Sequence, residues 1–193
     1  HSINPTNVNY KANIWSLKNE GCTHIIAATA CGSLREKIEP GHFVFPDQFI
    51  DRTLKRDSTF FDKNEVVHTP MGEPFSKTIR ENLILGSKNL GFKFHKSGTL
   101  VTIEGPRFST KAESNLFRMW GADIINMSSV PEGPLARELK MEYQPIAMST
   151  DYDCWREGEE EVSMDLIYTV MKKNVENIKK LLSFTISNFK DNF

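Results

Sequence analysis

Two aspartates that follow an apolar run are the residues of this chain best suited to acid–base chemistry. Asp151 and Asp153 come shortly after the run Pro-Ile-Ala-Met at 145–148. In an extended segment alternate side chains point to the same side, so both carboxyls can face one pocket. A partly buried carboxyl with a raised pKa can donate a proton to a ring nitrogen, and a carboxylate can accept from an exocyclic amine. The alternative is that one aspartate caps the next turn while the other is solvated.

Hydroxyl-bearing and small residues follow two other apolar runs. Thr29 and Ala30 end the run that begins at His24, and Ser128 follows the run 124–127. Hydroxyls and backbone N–H groups at such positions can bind a phosphate without a cationic side chain. The same residue types are common in turns, so the pattern leaves both interpretations open.

Four further residues have plain structural explanations. His68 lies in a segment without periodicity, where a histidine is usually solvated or hydrogen-bonded locally. Met164, Ile167 and Tyr168 share one face of the last helical pattern and by default belong to the core. A metal site is not indicated, because no histidine or third carboxylate lies near the aspartate pair at ligand spacing.

These candidates lie in a chain whose apolar runs alternate with helical patterns. Strands are predicted at 24–29, 43–45, 99–103, 124–127 and 145–148, and helices after Pro5, around 75–91, at 110–121, at 131–139 and from about Ser163. We expect the first strand to stop at the small residues 30–33 and a long loop to cover 52–71. The alternation predicts a three-layer α/β domain with helices on both faces of a central sheet. Ligands of such folds collect beyond the carboxyl ends of strands, where the candidates lie.

The composition bounds the class of protein. A chain of 193 residues with a formal net charge of −1 and 39% hydrophobic residues is predicted to form one globular domain. A charged fraction of 25% with 13 Phe is too apolar for a disordered chain and too balanced for a dedicated nucleic-acid or membrane-surface binder. No apolar run approaches the roughly 18 residues that span a bilayer. The three widely spaced cysteines predict reduced thiols, and we expect a cytoplasmic protein, with the nucleus as a second location.

Five strings occur in order along the chain: NYKANIW at 9–15, TACGSLR at 29–35, TIEGPRFS at 102–109, INM at 125–127 and TDYDCW at 150–155. Together they resemble the methylthioadenosine phosphorylases of the trimeric purine nucleoside phosphorylase family. The resemblance implies a three-layer nucleoside phosphorylase fold with a mixed central sheet. It also implies phosphorolysis of S-methyl-5′-thioadenosine to adenine and 5-methylthioribose 1-phosphate in purine and methionine salvage. Inorganic phosphate would be the co-substrate, no cofactor or metal would be needed, and the protein would be a homotrimer.

The resemblance also implies a role for each candidate residue. Four groups would surround the substrates: Thr29, Ala30 and Ser128 at phosphate; Met127 under the ribose; Phe108, Ser109, Asp151 and Asp153 at adenine; and His68, Met164, Ile167 and Tyr168 at the methylthio group. Asp151 would be the catalytic acid that protonates the purine N7. A carboxylate there also favours 6-aminopurines over inosine and guanosine, because it accepts from the 6-amino group.

Alternatives to this function remain open. The family's glycine-rich phosphate loop and Arg-His pair would precede His1, and relatives continue beyond Phe193. We therefore expect residues 1–193 to be a single nucleoside phosphorylase domain that is incomplete at both ends. A phosphorylase for purine nucleosides or methylthioinosine is the nearest alternative. If the chain is complete as shown, a non-catalytic nucleoside-binding protein is another. Small molecules are the expected ligands, with no nucleic-acid or membrane partner.

Overall fold

A mixed seven-stranded sheet forms the middle layer of the part of the chain that the structure describes. The computed structural model describes residues 2–62, 65–158 and 164–190, without the side chains of residues 164–166, 169 and 173. The elements in chain order are α1 (Tyr10–Asn19), β1 (His24–Ser33), β2 (Phe43–Val44), β3 (Gln48–Arg52), α2 (Lys77–Asn89), β4 (Phe94–His95), β5 (Thr99–Ile103), α3 (Lys111–Met119), β6 (Ile124–Asn126), α4 (Ser129–Glu138), β7 (Glu142–Asp151) and α5 (Met164–Ser187).

The strands lie in the order β3-β5-β6-β1-β7-β2-β4. Parallel pairs form between β3 and β5, β5 and β6, β1 and β7, and β2 and β4. The β1–β6 and β2–β7 pairs are antiparallel, so the sheet is mixed, as the resemblance implies. Because β7 is the last strand in the sequence but lies between β1 and β2, the centre of the sheet is built from both ends of the chain.

Helices cover both faces of the sheet. On one face α1 and α4 pack through Ile14 and Leu135. On the other, α2 and α5 pack through Leu83 and Leu181, and α3 contributes Phe117 to a neighbouring cluster. All five side chains are buried. Side chains of a strand alternate between the two sides, so a sheet buried on both faces needs apolar residues at successive positions, which explains the continuous apolar runs. The three-layer α/β prediction is confirmed.

The differences from the predicted elements concern the strands. The prediction that the first strand stops before residues 30–33 is wrong, because β1 continues through Ser33 with an irregular register between Cys31 and Gly32. β3 and β4 were not predicted. They lie at the two edges of the sheet, and β3 is partly exposed, so neither forms a long apolar run. The described residues between β3 and Met71 contain no helix or strand, as expected.

Candidate functional site

β1 joins the two halves of the sheet and brings the candidate residues together. It runs parallel to β7 for most of its length, and at Gly32 and Ser33 it pairs with β6 in the antiparallel sense. The chain after β6 therefore runs back along β1, which places Ser128 beside Thr29. On the other side of β1, Asp151 lies opposite Gly32. Hydroxyls and a carboxyl thus flank the end of the same strand.

Gly32 allows the carboxyl of Asp151 to approach the backbone of β1. A Cβ atom at position 32 would lie 2.9 Å from Oδ1 of Asp151 and 3.1 Å from Cγ2 of Ile125. Both distances are too short for a carbon atom to be accommodated without movement of its neighbours. The glycine is therefore required by close packing at this point and not by a turn.

A hydroxyl cluster, defined by Thr29, Thr102, Asn126, Ser128 and Ser129, lies between β1, β5 and the start of α4. Oγ1 of Thr29 and Oγ of Ser128 are 2.9 Å apart, and both contact the amide nitrogen of Asn126. Ser128 occupies the N-cap position of α4, yet its hydroxyl makes no capping hydrogen bond among the described residues. The Ser128 hydroxyl can therefore donate to an anionic ligand. The Thr29 hydroxyl donates to the carbonyl of half-buried Ala30 at 3.0 Å and can turn to such a ligand instead.

Asp151 ends β7 and is only 7% exposed. Its Oδ2 accepts from the Thr150 hydroxyl at 2.7 Å, and its Oδ1 accepts from the backbone N–H of Asp153 at 2.8 Å. Burial is the largest influence and raises the pKa of Asp151. The two hydrogen bonds lower it, and the charge of Asp153 raises it. The net effect is a raised pKa, which extends the protonated form of this carboxyl towards neutral pH.

Asp153 shares the buried character of its neighbour but has a different backbone. Its φ angle is 51°, in the left-handed region, and it is 7% exposed. Burial raises the pKa of Asp153, while Ser114, the Cys154 backbone and Ser109 lower it. The hydroxyls of Ser109 and Ser114 lie near this carboxyl, but neither completes a hydrogen bond of ordinary geometry within the described structure. The Ser109 hydroxyl therefore keeps hydrogen-bonding capacity beside Asp153.

Trp155 connects the turn after β7 to the end of β1 by a hydrogen bond. Its indole N–H donates to the carbonyl of Ser33 at 2.8 Å. The guanidinium of Arg118 lies 3.7 Å from the centre of the Trp155 ring, and its Nε donates to the carbonyl of Leu34 at 3.2 Å. A stacked cation and hydrogen bonds thus hold this turn and, with it, the two aspartates.

The turn that follows β5 contacts Met127 and contains Phe108. A Cβ atom at Gly105, where φ is 67°, would overlap the sulfur of Met127, so the glycine leaves room for that side chain. Arg107 forms two hydrogen bonds of 2.7 Å with Glu113 and donates to the carbonyl of Phe108 at 3.1 Å. The bond from Arg107 is the largest influence that lowers the pKa of Glu113 to about 2. Phe108 itself is 38% exposed.

The four residues predicted at the methylthio group are not part of the contacts described so far. His68 is exposed between β3 and α2. Ile167 is half-buried and Tyr168 is partly exposed near the start of α5. The side chain of Met164 lies outside the described residues. Their part in a 5′ pocket stays a prediction.

A buried ionic network lies below the hydroxyl cluster. The Arg56 side chain is fully buried and donates to the carbonyls of Val130 at 2.7 Å and Glu104 at 2.8 Å. Its Nε lies 3.5 Å from the Glu104 carboxylate. Nearby, the Tyr143 hydroxyl donates to Glu132 at 2.6 Å, and burial is the main reason for the raised pKa of Glu132. Arg56 therefore ties the end of β5 to the start of α4, next to the cluster.

Sequence reasoning missed three residues of this arrangement, namely Gly32, Arg56 and Asn126. An asparagine that ends an apolar run is a buried polar residue that must find partners, and that signal could have singled out Asn126. Gly32 stands in a row of small residues and is indistinguishable from a turn residue. Arg56 lies in an irregular segment whose charged residues are otherwise exposed.

The chemistry available here is anion binding beside a protonatable carboxyl. Within residues 2–62, 65–158 and 164–190, no group of three or more His, Cys, Asp or Glu side chains is placed to hold a metal ion. Over the same ranges, no helix combines the length and the apolar character needed to cross a membrane.

Comparison with known proteins assigns the family. Residues 1–187 match the phosphorylase superfamily. The S-methyl-5′-thioadenosine phosphorylases of Xenopus tropicalis and Danio rerio are 57% and 56% identical to this chain over 187 residues, which make up 94% of it. The matched part is 66% and 67% of those two proteins, so the chain spans about two thirds of their length.

Solved structures agree with this assignment. A methylthioadenosine phosphorylase from Schistosoma mansoni in complex with adenine matches with a TM-score of 0.93 and 41% identity, over 97% of this chain and 72% of that one. A variant of the adenosine/methylthioadenosine phosphorylase from the same organism, in complex with methylthioadenosine, matches with a TM-score of 0.92 and 40% identity, over 97% and 71%. The mixed sheet with helices on both faces is the nucleoside phosphorylase fold. The chain belongs to the phosphorylase superfamily and, within it, to the S-methyl-5′-thioadenosine phosphorylase family.

Proposed function

We propose that the protein containing this chain catalyses phosphorolysis of S-methyl-5′-thioadenosine to adenine and 5-methylthioribose 1-phosphate, in purine and methionine salvage. The observation that carries the proposal is the buried Asp151, with its raised pKa, across β1 from the hydroxyl cluster. The names of the relatives support the choice of nucleoside. Inorganic phosphate is the co-substrate, and neither a metal nor an organic cofactor takes part.

In the proposed reaction, phosphate lies against Thr29, Ala30 and Ser128. Breaking the N-glycosidic bond develops positive charge on the ribose and negative charge on the departing purine. An anionic phosphate beneath C1′ stabilises the first of these charges, and a proton delivered to the purine N7 neutralises the second. Met127 supports the ribose between them.

Asp151 supplies that proton, and Asp153, Phe108 and Ser109 form the rest of the base pocket. A buried carboxyl with a raised pKa is a suitable general acid near neutral pH. After it releases the proton, the Asp151 carboxylate accepts from the 6-amino group of adenine. A 6-keto purine presents an acceptor to the same carboxylate, so inosine is disfavoured.

Asp151→Asn tests this role, because the asparagine keeps the shape of the site. Its oxygen can still accept from the Asp153 N–H, and its Nδ2 can donate to Thr150, whose hydroxyl lies 3.2 Å from the carbonyl of Cys31 and can turn to it. We expect a folded variant whose rate of adenine release falls by about 10²- to 10⁴-fold, while the KM for phosphate changes by less than about threefold. Initial rates in the full-length protein give both quantities.

Unchanged turnover of methylthioadenosine by this variant contradicts the proposed role of Asp151. Rates of the parent protein on methylthioadenosine, adenosine and inosine distinguish a methylthioadenosine phosphorylase from an ordinary purine nucleoside phosphorylase. Of the two alternative substrates, adenosine is favoured over inosine, because one similar structure is an adenosine/methylthioadenosine phosphorylase. A protein that binds the nucleoside without releasing adenine would instead be a non-catalytic binding protein.

We also propose that the protein is a homotrimer. Support comes from an exposed apolar patch, defined by Leu54, Leu116, Met119 and Trp120. Leu54 and Met119 are each 77% exposed, and Leu54 and Leu116 line one surface cavity of about 170 Å³. Monomeric proteins seldom expose such groups of side chains together. A cytoplasmic location, with the nucleus as a second one, is a further proposal, which fluorescence microscopy of the tagged protein tests.

A further inference from the structure

Asn126 is the centre of the hydroxyl cluster. Its Oδ1 accepts from the Thr102 hydroxyl at 2.8 Å. Its Nδ2 donates to Ser129 at 2.8 Å and to Thr29 at 3.1 Å, and the Ser128 oxygen lies 3.4 Å away. The side chain is almost fully buried. Within the described residues, every partner of this amide is therefore a hydroxyl: Thr102 at its oxygen, and Ser129, Thr29 and Ser128 at its nitrogen.

The neighbours of Asn126 fix the direction in which its amide points. The Thr102 hydroxyl is fully buried and must donate its hydrogen, and the Asn126 oxygen is the acceptor within reach. On the opposite side of the amide, the hydroxyl of Ser129 lies 2.8 Å from Nδ2. Ser129 in turn accepts from Asn126. With Thr102 donating to its oxygen, the amide directs its nitrogen towards Ser129 and Thr29.

The direction of the amide decides what the Thr29 hydroxyl can do. Because Oγ1 of Thr29 accepts from Asn126, its own hydrogen is left for the carbonyl of Ala30 at 3.0 Å, the Ser128 oxygen at 2.9 Å, or a ligand. An anion needs donors, and a hydroxyl that already accepts from an amide is polarised towards donating its hydrogen.

We infer that Asn126 is a positioning residue for phosphate, which keeps the hydroxyls of Thr29 and Ser128 as hydrogen-bond donors towards the anion. The inference rests on the proposed function, in which these two hydroxyls contact phosphate. Asn126 itself lies below them and acts through them. Thr102 is a second positioning residue, because its hydroxyl donates to the Asn126 oxygen and so fixes the direction of the amide.

Asn126→Asp reverses this polarity with almost no change of shape. A carboxylate offers two acceptors, so Thr29 must turn its hydrogen inward, and a negative charge comes to lie beneath the anion site. Thr102→Val removes the donor that orients the amide, whereas Thr102→Ser keeps it. Asn89→Asp, on the exposed side of α2, is the matched control for the exchange of an amide for a carboxylate.

The test is the dissociation constant of inorganic phosphate, measured by isothermal titration calorimetry on the full-length protein and these variants. We expect Asn126→Asp to weaken phosphate binding at least about tenfold and Thr102→Val about three- to tenfold, while Thr102→Ser and Asn89→Asp stay within about twofold. The KM for the nucleoside should change far less than the KM for phosphate in all of them, which a general loss of structure would not produce.

Several results would overturn the inference. If Asn126→Asp binds phosphate as tightly as the parent, or if Thr102→Ser loses as much affinity as Thr102→Val, the amide does not orient the donors. If Asn126→Asp does not fold, the Thr102 pair decides. A parent protein that binds no phosphate also refutes the inference, whereas one that binds phosphate but releases no adenine refutes only the proposed reaction.

Discussion

The Asp151 carboxyl leads to a specific pH dependence. Burial is the main cause of its raised pKa, and the active form in the proposed reaction is the protonated one. The rate constant kcat/KM should therefore fall as the pH rises through this pKa, by about tenfold per pH unit above it. A pH–rate profile with methylthioadenosine at saturating phosphate measures this limb. The limb should persist in Asp153→Asn, and its disappearance there would assign the titration to the other carboxyl.

The sequence indicated some residues of the candidate site but not others, and the difference has a physical reason. Asp151 and Asp153 attract attention because two carboxyls after an apolar run are costly to bury and need an explanation. Asn126 carries no charge, and its importance depends on Thr29 and Thr102, which are distant in sequence and meet it only in the folded sheet. Pattern and spacing hold no information about such partners.

Among the elements, β1 depends most strongly on one small residue. Gly32→Ala would place a methyl group 2.9 Å from the Asp151 carboxyl and 3.1 Å from Ile125. We expect a loss of about 1–3 kcal/mol of unfolding free energy, because the core must move to accept the added carbon. We also expect at least about a tenfold fall in turnover, because the carboxyl is displaced. Urea denaturation and initial rates measure the two effects.

Gly72→Ala is the matched control for that substitution. A Cβ atom there meets no heavy atom within 4 Å, and the residue does not need the left-handed conformation. Its stability should stay within about 0.5 kcal/mol of the parent. If Gly32→Ala behaved in the same way as this control, close packing between β1 and Asp151 would not be a requirement of the site.

Central and edge elements differed in how well the sequence predicted them. The buried strands β5 and β6 consist mainly of branched apolar residues, and Ser76 and Thr110, the N-caps of α2 and α3, are residue types that favour helix starts. β3 has only two apolar residues, Phe49 and Ile50, between polar ones, and it lies at the edge of the sheet, where it pairs with a neighbour along one edge only. The last part of β1 is made of small residues because three strands meet there, and small residues in a row otherwise indicate a turn.

For the molecule as a whole, the apolar patch makes the proposed trimer testable. Met119 is 77% exposed, and Met119→Lys puts a charge on a surface that the proposed subunit contact would bury, so we expect dissociation to smaller species. Ile186→Lys is the control, since that side chain is 66% exposed on α5, outside the patch. Sedimentation equilibrium gives the mass of each. A Met119→Lys protein of the same mass as the parent, or a monomeric parent, would contradict this proposal.

The position of β7 has a consequence for biosynthesis. β1 and β2 are translated early, but the strand that lies between them emerges from the ribosome about a hundred residues after β1. Until then one edge of β1 and one edge of β2 remain unpaired in the nascent chain, although both lie in the middle of the finished sheet. Their pairing needs long-range loop closure. The same late strand delivers Asp151. The pairing of these open strand edges and the completion of the acid site therefore both wait for the insertion of residues 142–151.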